Sequence, residues 1–526
     1  MTAPTALTGS GPLLRLALRR DRALVPVWLA VIATMVLAMP NTLQKLYGTP
    51  AERADLVDSL ATNASLRAVY GPVFDQSVGG LTAWRVGTFA GVLAAVMSLV
   101  VVVRHTREEE ESGRQEMLSS AAVGRRAPLT SALLTAAVAN GMLGLLVAAG
   151  LAGRGGAGAV ALGLAIACVG MVFATTAAVV AQFTESARLA KGLTGGLLGA
   201  AFVLRAAGDS ATADGSSPLT WLSPVGWLEN TRAFGDERWW VLLLFAGAVG
   251  AQAAGAYALA GRRDVGMGFL PSRPGPARGG IGTAGALAWR LQRGTVIGWS
   301  LGFLAAGLAF GAMTEGAADL VGDNENTREI FTRMGGQAAL TDSFLTAIVG
   351  MTGMVGALYI VGSVLRLYGE ETSQRAEPVL AGAVGRLRWA AGHLVVAFAG
   401  AALIMLLAAC GLAAGYGHDA GQIVGACLVQ LSAIWLIGSL AVLLYGISPR
   451  LAPLAWGAAG LALLIGWIGP ALDVPQALMN LSPFSHLPKL PGHDVTWQPV
   501  LLLTALAAVC TAAGLAGLRR RDLATG

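Results

Sequence analysis

Residues 104 to 126 read RHTREEEESGRQEMLSSAAVGRR, a polar run dense in carboxylates set between two long apolar segments. The run recurs further along the chain. At an offset of 261, Glu109, Glu110, Ser112, Arg114, Glu116, Ala122, Val123, Gly124 and Arg125 fall on Glu370, Glu371, Ser373, Arg375, Glu377, Ala383, Val384, Gly385 and Arg386. A loop between apolar segments drifts freely unless something reads it, so a pattern kept twice marks a surface that docks against another molecule. Two such loops at matching places also mean a chain built twice.

Working outward, 55% of the 526 residues are hydrophobic and only 13% are charged. Soluble domains carry about 25% charged residues, so this composition belongs in a bilayer. Roughly 20 apolar residues span the hydrocarbon core as a helix, and about twelve such segments can be marked. The expected fold is an all-α polytopic membrane protein with about twelve transmembrane helices in a 6+6 parallel duplication.

Other landmarks repeat in the same order. The amphipathic stretch GPLLRLALRRDR at 11–22 precedes the first span and reads as an interfacial helix. Leu16, Ala17, Arg19, Arg22, Val25 and Trp28 fall on Leu287, Ala288, Arg290, Arg293, Val296 and Trp299, ahead of the seventh span. No signal peptidase meets that second start, so the first span is expected to be retained, ending at Pro40. Leu222-Ser223-Pro224 matches Leu481-Ser482-Pro483, and Arg262-Arg263-Asp264 is echoed within Arg519 to Asp522. The halves are placed at 1–260 and 285–526, joined by a linker at 261–284 rich in Gly, Pro and Arg. Thr49, Pro50 and Glu52 have the spacing of a capping box and predict one or two short helices after the first span.

The net charge of +6 is a topology signal and does not point to nucleic acid. With both termini, both acidic loops and the linker assigned to the cytoplasm, most of the 36 Lys and Arg lie inside, as the positive-inside rule requires. The expected location is the cell membrane, multi-pass.

Within the repeated loop, Glu110 with Arg114 and Glu371 with Arg375 have helical i,i+4 spacing, and Glu109 with Glu116, like Glu370 with Glu377, would return to one face. Pro378 should break the second copy, leaving a short helix around Leu380 to Arg388. A solvated extension of a span would also carry such charges; recurrence argues against it. No lysine of the three follows a glycine, so the chain has no phosphate-cradling P-loop and is expected to bind no cofactor of its own. Acids are scarce in the spans, which argues against an ion-coupled carrier. The five histidines do not cluster, and the four cysteines have no metal-ligand spacing. Small-xxx-small pairs such as Gly192/Gly196, Gly298/Gly302 and Gly307/Gly311 are candidates for helix packing.

The E-E-x-x-G-R-x-E run at Glu109 to Glu116 with V-G-R at Val123 to Arg125 resembles the permease subunits of ABC transporters of the drug-export class. So does E-E-x-x-x-R-A-E-P at Glu370 to Pro378 with V-G-R at Val384 to Arg386. The layout is similar to the fused actinobacterial permeases that export polyketide antibiotics, tetronasin resistance proteins among them. The resemblance implies an elbow helix before the first span of each half and a cytoplasmic coupling helix after the second. It implies coupling residues at Glu109, Glu110, Arg114, Glu116, Arg125, Glu370, Glu371, Arg375, Glu377 and Arg386. It also implies two copies of a separate cytoplasmic ABC ATPase, which would hold ATP and Mg, and an amphiphilic small-molecule substrate. A major-facilitator carrier and a membrane scaffold are the competing readings. Gln374 stands where the first copy has Gly113, a departure that puts identical docking of the two copies in doubt.

Overall fold

The computed structural model describes residues 6–119, 123–270, 282–322, 336–468, 475–492 and 495–522. The middle of the predicted linker, the middle of the loop after the seventh span, and Ala122 lie outside them. Every regular element among the described residues is helical, and twelve helices are long and apolar enough to cross a bilayer. Helices are the expected solution, because each closes its own backbone hydrogen bonds where no water is available. The chain divides into two compact units, 1–274 and 275–526.

In the first unit an elbow helix, Ser10–Arg20, precedes span one, Leu24–Leu46. Span one continues through Pro40 and ends six residues later than the sequence predicts. The Thr49 capping box is formed, and it starts the first of two short helices, Pro50–Thr62 and Ala64–Tyr70. Spans two to six are Val78–Arg104, Ala127–Leu151, Gly156–Phe183, Ala187–Ala211 and Val241–Ala260. Between the last two lie Pro218–Leu222 and Pro224–Asn230, a hairpin that turns at the Leu-Ser-Pro motif. Ser223 anchors it by donating to the carbonyl of Ala201 in span five.

The second unit differs at its start. Ala284–Gly322 is one unbroken helix, so the expected separate elbow runs straight into span seven. The reason lies at the break in the first unit. There Asp21 is buried and bonded to His105, with Arg104 beside it. At the offset of 271 its place is taken by Gln292, which bonds His393 and Ser363 without interrupting the helix. Span eight lies within Gly336–Val364, and spans nine, eleven and twelve are Arg386–Tyr416, Leu454–Ile468 and Trp497–Arg520. Span ten is formed by Ala420–Val429 and Leu431–Ile447 in succession.

Glycine decides the closest contacts. A Cβ on Gly307 would meet the carbonyl of Ala408 at 2.4 Å, and one on Gly411 would meet that of Leu304 at 2.3 Å. Spans seven and nine therefore touch backbone to backbone through Gly307/Gly311 and Gly411/Gly415. Gly192, Gly196, Gly298 and Gly302 meet nothing within 4 Å among the described residues, so neither pair makes a close contact of this kind there.

Candidate functional site

Past span two the chain makes a five-residue helix, Arg107–Glu111, then a second short helix, Arg114–Ser119. Each of the four consecutive glutamates finds a different residue, on three separate parts of the chain. Glu108 pairs with Lys191 of span five. Glu109 accepts from Arg20 of the elbow helix at 2.5 Å. Glu110 takes a bidentate contact from Arg263, just beyond span six, at 2.6 and 2.8 Å. Glu111 accepts the backbone N–H of Ala187, the first residue of span five, at 3.0 Å. Arg107, 1% exposed, donates to the carbonyl of Ala181 near the end of span four. The acidic run is thus a fastener holding one end of the bundle together.

These partners correct the expected pairing. Glu110 does not pair with Arg114. The helix stops at Ser112 and Gly113 takes φ of 72°, turning Arg114 back onto Glu109 at 3.0 Å. That break puts Glu109 and Glu116 on separate helices, so they share no face. Glu116 is exposed.

The second unit uses the same plan. After span eight, Arg366–Thr372 carries Glu370, paired with Arg366 at 2.6 Å, and Glu371, gripped by Arg521 just beyond span twelve at 2.7 Å through both nitrogens. The Tyr445 hydroxyl at the end of span ten donates to Glu371 at 2.5 Å. Gln374 has φ of 59°, so the left-handed break is kept without glycine. Arg375 beyond it is exposed and does not pair with Glu371, while Glu377 opens the next turn. Pro378 does not precede a helix at Leu380 to Arg388; it sits in the first turn of Glu377–Leu380, where its missing N–H is harmless. Span nine then begins at Arg386.

The V-G-R motifs complete the plan. Arg125 donates to the backbone carbonyl of Arg263 at 2.7 Å, and Arg386 donates to that of Arg521 at 2.8 Å. In each unit, one arginine after the last span is held at its carbonyl by the V-G-R arginine and closes with its guanidinium on Glu110 or its repeat, Glu371. Bidentate charge-assisted bonds of this kind are directional as well as strong. Sequence reasoning missed Arg263 and Arg521 as site residues. The signal was present, since both precede an aspartate in the repeated Arg-Asp landmark.

A family model described as the C-terminal domain of the multidrug efflux system permease Rv1217c matches residues 281–519. Over 99% of this chain and 96% of its own length, the multidrug efflux system permease protein Rv1217c of Mycobacterium tuberculosis (strain ATCC 25618 / H37Rv) is 41% identical. The chain belongs to this family of multidrug efflux permeases. In the permease, Glu109 and Glu110, like Glu370 and Glu371, face inward onto arginines, and other residues are left outermost. Arg114, Glu116 and Met117 are exposed in the first unit, as are Glu377, Pro378 and the 381–383 turn in the second. Met117, at 68% exposure, is a large apolar side chain in a polar loop.

The two elements are not copies in every bond. Arg20 of the elbow falls on Leu291 by the repeat, which has no charge to offer Glu370. Arg366, standing where the first unit has His105, supplies the missing guanidinium from within the element.

Proposed function

We propose that this permease is the membrane part of an ATP-driven exporter, working with two copies of a separate cytoplasmic ABC ATPase that hold ATP and Mg. The elements at 104–126 and 366–388 are the coupling elements, and the end of each unit that carries them faces the cytoplasm, with both termini. The cargo is an amphiphilic or apolar small molecule, because the spans offer few charges to recognise any other kind. The drug-efflux name of the relative supports this class of cargo.

One observation carries the reading: the bidentate Glu110–Arg263 pair and its repeat, Glu371–Arg521. A loop that served only as a solvated extension would have no need of such fasteners. Through them, a push on the outer face of either element reaches the exits of the last spans and the ends of spans four and ten. Closure of an ATPase pair would so be converted into movement of helices, switching access from one side to the other. The glutamates and arginines act as fasteners, and the outermost residues around Met117 and 378–383 meet the ATPase.

The test is affinity purification of the tagged full chain from native membranes in mild detergent, with identification of co-purifying proteins and assay of ATP hydrolysis. Wild type is expected to recover a P-loop ATPase, and a Met117→Glu, Ala381→Glu variant to lose it. Recovery of no ATPase with intact wild type would favour a gradient-driven carrier and overturn the reading.

A further inference from the structure

At the end of the first unit opposite the acidic element, three charged groups are buried together. Arg205 and Asp209 of span five are each 0% exposed, and Glu229 of the Leu-Ser-Pro hairpin reaches them. One nitrogen of Arg205, Nη1, serves both acids, lying 3.0 Å from Glu229 Oε1 and 3.4 Å from Asp209 Oδ2. Its other terminal nitrogen donates to the carbonyl of Val69. Thr88 of span two donates to Glu229 Oε1 at 2.6 Å, and Thr220 of the hairpin donates to Asp209 Oδ1 at 2.7 Å. Glu229 Oε2 is buried with no partner.

Two carboxylates share one guanidinium, and the neighbouring charges do not make up the difference. Arg67 spends its N–H groups on the carbonyls of Ala61, Asp209 and Ser210. Arg85 lies over the Tyr70 ring and Arg232 over Phe74. Asp75 accepts the Ser77 N–H, and Arg238 lies in the loop beyond the hairpin. A buried excess negative charge is costly, and the group it burdens most takes up a proton instead. Glu229 lines a cavity of ≈ 30 Å³ with Tyr70, Phe74, Asp75 and Trp84, room for about one water.

We propose that Glu229 is a proton-binding site whose protonated carboxyl holds the hairpin against spans two and five, and whose loss of that proton to water releases it. Protonation leaves Arg205 and Asp209 as a neutral pair and turns Oε2 from an orphaned acceptor into an O–H facing the cavity. Ionisation puts a net charge where Thr88, Arg205 and Asp209 are all already engaged. Burial pushes the Glu229 carboxyl well above its ordinary value, Arg205 pulls it back, and Asp209 adds to the rise. The site belongs to the first unit alone. At the offset of 259 that aligns the two Leu-Ser-Pro motifs, Arg205, Asp209 and Glu229 fall on Leu464, Ile468 and Pro488.

Infrared spectroscopy of the purified full chain tests this with no ATPase present, so its outcome is separate from that of the partner reading. At neutral pH, wild type is expected to show a protonated-carboxyl band that is absent in Glu229→Gln and lost from wild type as pH rises. Hydrogen exchange of the 218–230 amides should accelerate at the pH where the band is lost, relative to Glu229→Gln at that same pH. Superimposable bands and exchange in the two forms would overturn the proposal. Thr88→Val, which keeps both acids but removes a donor that favours the carboxylate, should hold the band to higher pH. A band unmoved by that change would also overturn it.

Discussion

Gln374 adopts the same left-handed backbone as Gly113, with φ of 59° against 72°, although only glycine takes that conformation freely. In both units the bend separates the helix that carries the paired glutamates from the exposed turn beyond it. A side chain in this region costs about 1 kcal/mol or more. Gln374→Gly should therefore raise stability slightly, and Gly113→Val should lower it by about 1–2 kcal/mol. Protease resistance of the two loops in the purified chain would read both changes.

The Glu110–Arg263 pair has side chains only 10% exposed. Each group keeps a second contact, Arg107 donating to Glu110 at 2.7 Å and Arg263 donating to Gln182 at 2.6 Å, so Glu110→Gln or Arg263→Met is expected to cost about 1–3 kcal/mol. The double change should cost less than the sum of the two. A thermal-denaturation double-mutant cycle measures that difference, and strict additivity would contradict the pairing.

Glycine packing separates the candidates that look alike in sequence. Gly411→Ala puts a methyl against the Leu304 carbonyl and should destabilise by about 1–3 kcal/mol. Gly298→Ala meets no atom within 4 Å among the described residues and should be neutral or stabilising. Melting temperatures of the two variants in one detergent would distinguish them.

Glu229 gives stability a defined pH dependence. Because its carboxyl is raised in the folded state, the native chain binds the extra proton between the unfolded and folded values. Its contribution is complete below the ordinary carboxyl range and is lost as pH rises through the folded value. The melting temperature of Glu229→Gln should fall less with rising pH than that of wild type.

Composition and repeats made much of this legible before any coordinates. Span number follows from hydropathy, and the Thr49 cap follows from local chemistry that tertiary packing does not disturb. The sequence misled wherever a distant partner wins. Spacing joined Glu110 to Arg114, but Arg263, far along the chain, offers a bidentate fork from within the bundle. Pro40 looked like a stop, yet the helix carries on to Leu46 with Pro40 buried within it. The buried Arg205–Asp209–Glu229 cluster was invisible, because its members come from a span and a hairpin with no shared motif.

The most direct test of the coupling account is photo-crosslinking in native membranes from an unnatural side chain at position 117, at 381, or at 222. Leu222 is 69% exposed at the opposite end of the first unit. The account predicts adducts with a P-loop ATPase from positions 117 and 381 and none from 222. Adducts from 222 alone, or from no position, would contradict it.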